Sequence, residues 1–386
     1  MTERSPTHRL KIVTVVGTRP EIIRLSATIK RLDAHTEHVL VHTGQNYDYE
    51  LNEVFFDDLG LRRPDHFLEA DTSSLGAVLG SILLKTEMVL VREKPDALLV
   101  LGDTNSCIAA LMARRMKIPV FHMEAGNRCF DENVPEEVNR RLVDHVADYN
   151  LVYTEHARRN LLAEGIHPSR IMLTGSPMRE VLAGNAAQIA ASDVLTRLKL
   201  VPGGYFVVSL HREENVDDPE RLASVLAALT RLAEAYALPV LMSTHPRTRA
   251  RLLGQPADAA NGLTLHPPFG FNDYVSLQQK SRLVLSDSGT ISEESLILGF
   301  PAVTLRDAIE RPEALDAGGM LTVGVTTDAV VDGVRIALAE FDADGPSAAP
   351  AEYDVTDTSR RVLAFLRSTV HGHHERAGIR LAATER

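Results

Sequence analysis

The chain has no run of 18 apolar residues, only two cysteines (Cys107 and Cys129), no tryptophan and fewer cationic than anionic side chains. Each shortage except the missing tryptophan closes a class of function. Without a long apolar run there is no membrane-spanning helix. Two cysteines make neither a disulfide framework nor a Cys-rich metal site, and read as small buried hydrophobes of a reducing compartment. No H-E-x-x-H occurs, so no metal is expected. No G-x-G-x-x-G follows the first strand-like run and no G-x-x-x-x-G-K-[ST] occurs anywhere, which argues against a bound dinucleotide and against a P-loop NTPase. The polar start MTERSPTHR, followed by a strand-length apolar run, does not read as a signal peptide, and a cytoplasmic protein is expected. Lys plus Arg number 41 against 52 Asp plus Glu, a net charge of −11, which disfavours nucleic acid or an anionic membrane as partner. A local basic pocket for a phosphorylated small molecule remains open.

What is present is a chain of 386 residues, too long for one core, so two domains are expected. Short β-rich runs alternate with helical segments, the signature of parallel α/β architecture. In the first half, strands are expected at 10–16, 39–42, 97–101, 118–121, 151–153 and 171–173, with a long amphipathic helix at 72–93. Gly175-Ser176-Pro177 punctuates the end of this half, and the boundary is placed near 175–185, giving domains 1–178 and 179–355. In the second half, strands are expected at 205–210, 239–243, 283–285 and 302–305, then a loop at 344–353 and a final helix at 356–370. Residues 371–386 read as a frayed tail whose His371, His373 and His374 are better explained by disorder than by metal.

The stretch His122–Asp148 organises the chain. It comes after an apolar strand, and ligands of open α/β sheets sit at strand carboxyl ends. Within a few residues it supplies Glu124, an Ala125-Gly126 turn, Arg128, Asp131, Glu132, Glu136, Glu137, Arg140 and Arg141. Pro135 suits the first turn of a helix, whose apolar stripe reads Val138, Leu142, Val146. Carboxylates at a strand end and a helix start are the material of acid/base chemistry; a solvated, salt-bridged helix is the bland alternative.

Other strand ends carry matching chemistry. Ser288-Gly289-Thr290 opens a helix after an apolar strand, an arrangement suited to anions, with an N-cap by Asp287 or Ser288 as the plain alternative. Glu293 and Glu294 come next; at least one should aim away from a phosphate, toward ribose hydroxyls. Arg19 and Arg24 follow the first strand, and Arg306 and Arg311 follow a strand of the second half, all suited to phosphate. His211 and Asp103 also stand directly after strands. Facing domains would bring these ends to one cleft.

These residues resemble the non-hydrolysing UDP-N-acetylglucosamine 2-epimerase family over about residues 10 to 370. The matching segments are GTRPE (17–21), HTGQ (42–45), GDT (102–104), EAG (124–126), PEEVNRR (135–141), HREEN (211–215), SDSGTISEES (286–295) and ERPE (310–313). The resemblance implies two Rossmann-like domains facing a cleft in the glycosyltransferase-B arrangement, with the last helix packed back on the first domain, and a homodimer. It implies no cofactor and a UDP-sugar substrate. The C2 proton is removed as UDP leaves C1, a glycal forms, and UDP adds back after reprotonation on the other face. By motif position the resemblance implies that Asp103, Glu124, Glu136 and His211 are the catalytic groups. It implies that Arg19, Arg24, Ser288, Gly289, Thr290, Glu294 and Arg311 contact the nucleotide, with Phe269 and Tyr274 near uracil. Arg24 stands where the family usually has Lys.

Asn127-Arg128-Cys129-Phe130 and Asp287-Ser288-Gly289-Thr290 depart from the common pattern and, with GFNDY (270–274), look like the branch acting on 6-deoxy sugars, the UDP-N-acetyl-L-talosamine (L-fucosamine pathway) 2-epimerases. Asn46-Tyr47-Asp48 differs from members activated by a second substrate molecule. The alternatives are the same chemistry on a 6-deoxy sugar, a hydrolysing epimerase that releases UDP, and a UDP-sugar glycosyltransferase; a non-catalytic nucleotide-sugar sensor would have lost a catalytic residue, and none is missing.

Overall fold

The computed structural model describes residues 9–45, 49–244, 248, 251–252, 262–307 and 309–380, with the side chains of 49–53 and 213 outside the description. The segments 46–48 and 245–247, and the end of the expected tail at 381–386, lie outside the described residues. The chain divides into two units, Met1–Ala183 with Val355–Arg386, and Gly184–Asp354.

The first unit holds a seven-stranded parallel sheet. Its strands are β1 (Lys11–Val16), β2 (Glu37–His42), β3 (His66–Phe67), β4 (Ala97–Leu101), β5 (Val120–Met123), β6 (Tyr149–Val152) and β7 (Ile171–Leu173), in the order β3-β2-β1-β4-β5-β6-β7. The second unit holds a six-stranded parallel sheet of β8 (Phe206–Ser209), β9 (Val240–Ser243), β10 (Leu263–His266), β11 (Leu283–Ser286), β12 (Ala302–Thr304) and β13 (Leu321–Thr322), in the order β10-β9-β8-β11-β12-β13. The strands are near-continuous Val/Ile/Leu runs because helices cover both faces; all five residues of β4 are buried. β3, β10 and β13 are edge strands of two to four residues, too short and too polar to stand out in the sequence.

In each sheet the winding direction reverses once, between β1 and β4 and between β8 and β11. In parallel sheets ligands occupy the crevice at that reversal, beyond the carboxyl ends of the strands. The expected site segments GTRPE and GDT lie at the first reversal, and HREEN and SDSGT at the second.

Two expectations fail. The helix Pro135–Val146 does not bury Val138 and Leu142, which are 58% and 39% exposed; its inward face carries Glu137, Arg140, Val143 and Asp144. A charged network occupies the interior there, so the apolar stripe marks the wrong side. Residues 371–380 are also not frayed. A short helix spans His373–Arg376, His373 is buried with its Nδ1 3.2 Å from the Tyr149 hydroxyl, and His374 Nε2 is 2.7 Å from the Lys117 carbonyl. The preceding helix Thr358–Thr369 belongs to the first unit. Ser359 Oγ accepts a 2.7 Å bond from Arg31 Nε, and Phe365 meets Tyr149 edge-on at 5.4 Å.

Candidate active site

At the first reversal, Thr18 caps the helix Arg19–His35, with Pro20 in its first turn and Glu21 closing a capping box. The Glu21 carboxylate accepts from Gly17 N at 2.5 Å and Thr18 N at 2.7 Å, and from the hydroxyls of Thr104 (2.8 Å) and Ser106. One buried carboxylate thus ties the turn after β1 to the turn after β4. Burial raises its pKa, and the four donors oppose that rise. Arg24, one helical turn later, is buried and forms an ion pair with Glu124. Arg19 lies 5.7 Å from the centre of the Phe55 ring.

Glu124 directly follows β5 and has φ +63°. A non-glycine residue in the left-handed region costs about 1–3 kcal/mol, strain that collects at functional sites. Gly102, at φ +70°, turns the chain so that Asp103 follows β4. A Cβ built on Gly102 would lie 3.7 Å from Glu124 Oε2, so the two strand-end turns adjoin. Asp103 Oδ2 is 2.6 Å from Arg140 Nη2, and its carbonyl accepts from Asn139 Nδ2 at 2.9 Å. Glu136 is half-buried in the first turn of the same helix, four residues before Arg140. Its neighbour Glu137 is fully buried and structural. It accepts from Cys129 N at 3.2 Å, Arg140 Nη1 at 3.2 Å and Arg141 Nε at 3.0 Å. Burial would raise its pKa, but these donors and cations hold it below the ordinary value. Asp103, Glu124, Arg24 and Arg140 therefore form one charged cluster.

At the second reversal, Asp287 directly follows β11 and is fully buried. It does not cap the following helix. It turns back across the sheet and accepts from His211 N (3.0 Å), Arg212 N (2.9 Å) and Asn215 Nδ2 (3.2 Å), with His211 Nδ1 2.8 Å from Oδ1. Burial alone would raise the Asp287 pKa; His211 and the two backbone N–H groups outweigh it and hold the carboxyl below its ordinary value. The His211 side chain is 47% exposed, so a buried carboxylate orients an accessible imidazole.

Ser288-Gly289-Thr290 leads into the helix Ile291–Leu298, with the two hydroxyls 2.9 Å apart. Gly289 is free of steric neighbours: a Cβ there would meet only Glu310 Oε2, at 3.9 Å. Arg311 is 3% exposed. Its Nε donates to the Gly289 carbonyl at 2.8 Å and its Nη1 is 3.3 Å from Glu293, so it braces this turn rather than standing at the surface. Arg306 is likewise buried and paired with Glu310, which also receives Arg212 at 3.2 Å. Glu294 Oε2 accepts from Gln278 Nε2 at 2.7 Å. Burial, then Glu294, raises the Tyr274 phenol. Phe269 is buried and stacked on His266 at 3.9 Å. Among the described residues no cluster of His, Cys, Asp or Glu is arranged to hold a metal ion.

Sequence reasoning names Arg140 in the organising stretch and Asp287 as a cap but gives neither a site role, and it does not single out Glu21 or Gln278. Glu21 has a visible signal, the T-x-x-E capping pattern Thr18–Glu21; the roles of the others depend on which segments become neighbours.

The profile of the UDP-N-acetylglucosamine 2-epimerase family matches residues 30–367. The chain belongs to this family. It is an isomerase of the epimerase type. A solved UDP-N-acetylglucosamine 2-epimerase from Rickettsia bellii is 44% identical, with TM-score 0.89 over 95% of this chain and 98% of that one. The Methanocaldococcus jannaschii UDP-GlcNAc 2-epimerase, solved in complex with UDP-GlcNAc and UDP, is 34% identical, with TM-score 0.86 over 93% of this chain and all of that one. Another relative is the UDP-2,3-diacetamido-2,3-dideoxy-D-glucuronate 2-epimerase of Pseudomonas aeruginosa, 36% identical over 85% of this chain and 92% of its own length. Family members of comparable similarity thus carry different sugar names.

Proposed function

We propose that the protein interconverts UDP-N-acetylglucosamine and UDP-N-acetylmannosamine without releasing the free sugar. A base takes the C2 proton; the C1–O bond breaks and its electron pair leaves with UDP; a C1–C2 double bond remains. Reprotonation of C2 on the opposite face and re-addition of the UDP oxygen at C1 complete the epimerisation. The observation that carries this reading is the cluster at the first reversal, where Asp103 and Glu124 sit on adjoining turns, each held by a buried guanidinium. Moving a proton between two faces calls for two positioned groups, and Glu136 supplies a third carboxylate. His211, oriented by Asp287, stabilises charge on the departing diphosphate. Ser288, Gly289 and Thr290 receive the diphosphate on a turn braced by Arg311, Glu294 the ribose, and Phe269 and Tyr274 border the uracil; Arg19 and Arg24 are nucleotide contacts by motif position. The solved M. jannaschii complex with UDP-GlcNAc and UDP supports the nucleotide assignment.

No helix among the described residues is long and apolar enough to cross a membrane. The two free cysteines suit a reducing compartment such as the cytoplasm. Leu84, Met88 and Val91 form an exposed stripe, 57–65% accessible, on the helix Leu75–Glu93 and suit a homodimer contact. Incubation with UDP-GlcNAc, followed by NMR of the products, tests the reaction. UDP-ManNAc with UDP still attached is expected. Free N-acetylmannosamine and UDP would replace this reading with hydrolysis. The departures at 127–130 and 287–290 favour a 6-deoxy UDP-sugar as the second reading, tested by the same assay on that substrate.

A further inference from the structure

Gln278, near the end of the helix Phe271–Lys280, is 1% exposed. Its Nε2 donates at 2.7 Å to Oε2 of Glu294, itself buried on the helix Ile291–Leu298. The orientation of the amide follows from chemistry, since a carboxylate oxygen only accepts. Its Oε1 is buried and has no hydrogen-bond partner among the described residues. A buried amide with one end unpaired costs stability, and an apolar side chain of the same shape would fill the place without that cost. Stability alone therefore does not call for glutamine here; the N–H group on Glu294 does. Tyr274 lies one helical turn before Gln278 on the same face. Its phenol is bonded to Ser209, the last residue of β8, and its pKa is raised by burial and then by the Glu294 charge, so Glu294 lies beside both side chains. The adjacent carboxylate is used differently: Glu293 turns to Arg311, 3.3 Å away, which braces the Gly289 turn. The amide adds a donor without cancelling the Glu294 charge, so the carboxylate stays a strong acceptor for hydroxyl groups.

We propose that Gln278 is a positioning residue that holds the Glu294 carboxylate for the ribose of the nucleotide, and so sets a preference for a ribonucleoside diphosphate over its deoxy forms. An unheld glutamate spreads over several staggered rotamers, and fixing one of them before the ligand arrives lowers the cost of binding. A ribose hydroxyl that donates to an anion makes the stronger class of hydrogen bond, and a nucleotide without that hydroxyl loses the bond. This role rests on Glu294 meeting the ribose, and it can be read without turnover.

The test is titration calorimetry of the full-length protein with UDP, 2′-deoxy-UDP and 3′-deoxy-UDP. The unmodified protein should bind UDP at least about tenfold more tightly than one of the deoxy forms, the worth of a hydrogen bond to a charged group. In Gln278→Met, of similar length, that preference should shrink to below about threefold, because UDP affinity falls while affinity for that deoxy form holds. A glutamine that served the fold alone would lower all three affinities alike. Gln278→Leu carries the same test if the methionine variant does not fold. Glu294→Gln should also lose the preference. No preference in the unmodified protein, or one that survives Glu294→Gln, overturns the ribose reading and this role together. A preference that Glu294→Gln abolishes and the folded Gln278 variant retains overturns the role of Gln278 alone.

Discussion

His211 Nδ1 stands 2.8 Å from the Asp287 carboxylate, across the seam between β8 and β11 where the second sheet reverses its winding. The buried carboxylate fixes the ring and sends Nε2 outward. Asp287→Asn keeps the size but puts an N–H group opposite backbone N–H donors of residues 211 and 212. Turnover should fall by at least about 10²-fold, as for loss of an oriented acid/base group. Because the Asp287 pKa is depressed, its contribution to stability is present above the unfolded value of about 3.9 and is lost only as pH falls through the lower folded one. The dyad should therefore persist from pH 5 upward, and the pH profile of kcat should show no Asp287 limb there.

The second prediction concerns the nucleotide. Gly289 has no positive φ and an almost empty Cβ direction, so Gly289→Val should leave folding intact. Its only effect should be to block close approach of a diphosphate to the Ser288–Thr290 turn. Titration calorimetry should show UDP affinity lowered at least about tenfold, a loss of about 1.4 kcal/mol, with an unchanged Tm.

A third prediction uses His42, buried at the end of β2. Burial pushes its pKa down to about 4, while its ring stacks on Phe67 at 4.9 Å and Nδ1 accepts from Gly44 N at 3.0 Å. The unfolded chain binds this proton near pH 6.5 and the folded chain does not, so stability is complete above pH 6.5 and lost as pH falls toward 4. Replacing His42 by Phe should remove on the order of 2 kcal/mol of the difference in unfolding free energy between pH 8 and pH 5. Urea unfolding at the two pH values measures it; an unchanged difference would show that His42 is protonated in the folded protein.

The strands and their loaded carboxyl ends are legible in the sequence, because a strand buried on both faces is an apolar run and the polar residues after it must form the turn. β4 and β7 span the residues that their apolar runs mark, and Asp103, Glu124, His211 and Ser288 all stand at strand-end turns near the reversals of the two sheets. Which polar residue faces inward is not legible. Val138 and Leu142 have helical spacing yet lie outside, since Glu137, Arg140 and Asp144 are held within by charged partners from distant segments. Asp287 reads as a helix cap; only the pairing of β8 with β11 turns it onto His211. The histidines at 373 and 374 read as a loose end because their partners, Tyr149 and Lys117, lie more than 200 positions earlier.

The fourth prediction concerns the carboxylates themselves. Asp103→Asn, Glu124→Gln and Glu136→Gln preserve shape and remove proton transfer. Each should lower kcat by at least about 10²-fold with UDP affinity retained. Alanine at 124 would be a poorer test, since it would also remove the oxygen that faces the buried Arg24 guanidinium, whereas glutamine keeps an acceptor there.

The most direct measurement is epimerisation in deuterated water with UDP-GlcNAc as substrate, followed by mass spectrometry and NMR. The unmodified protein should place one deuterium at C2 of a product that still carries UDP, and Glu124→Gln should lose at least about 10²-fold of that incorporation. Epimerised UDP-sugar with hydrogen retained at C2, or full incorporation by folded Glu124→Gln, would contradict proton transfer at this carboxylate cluster.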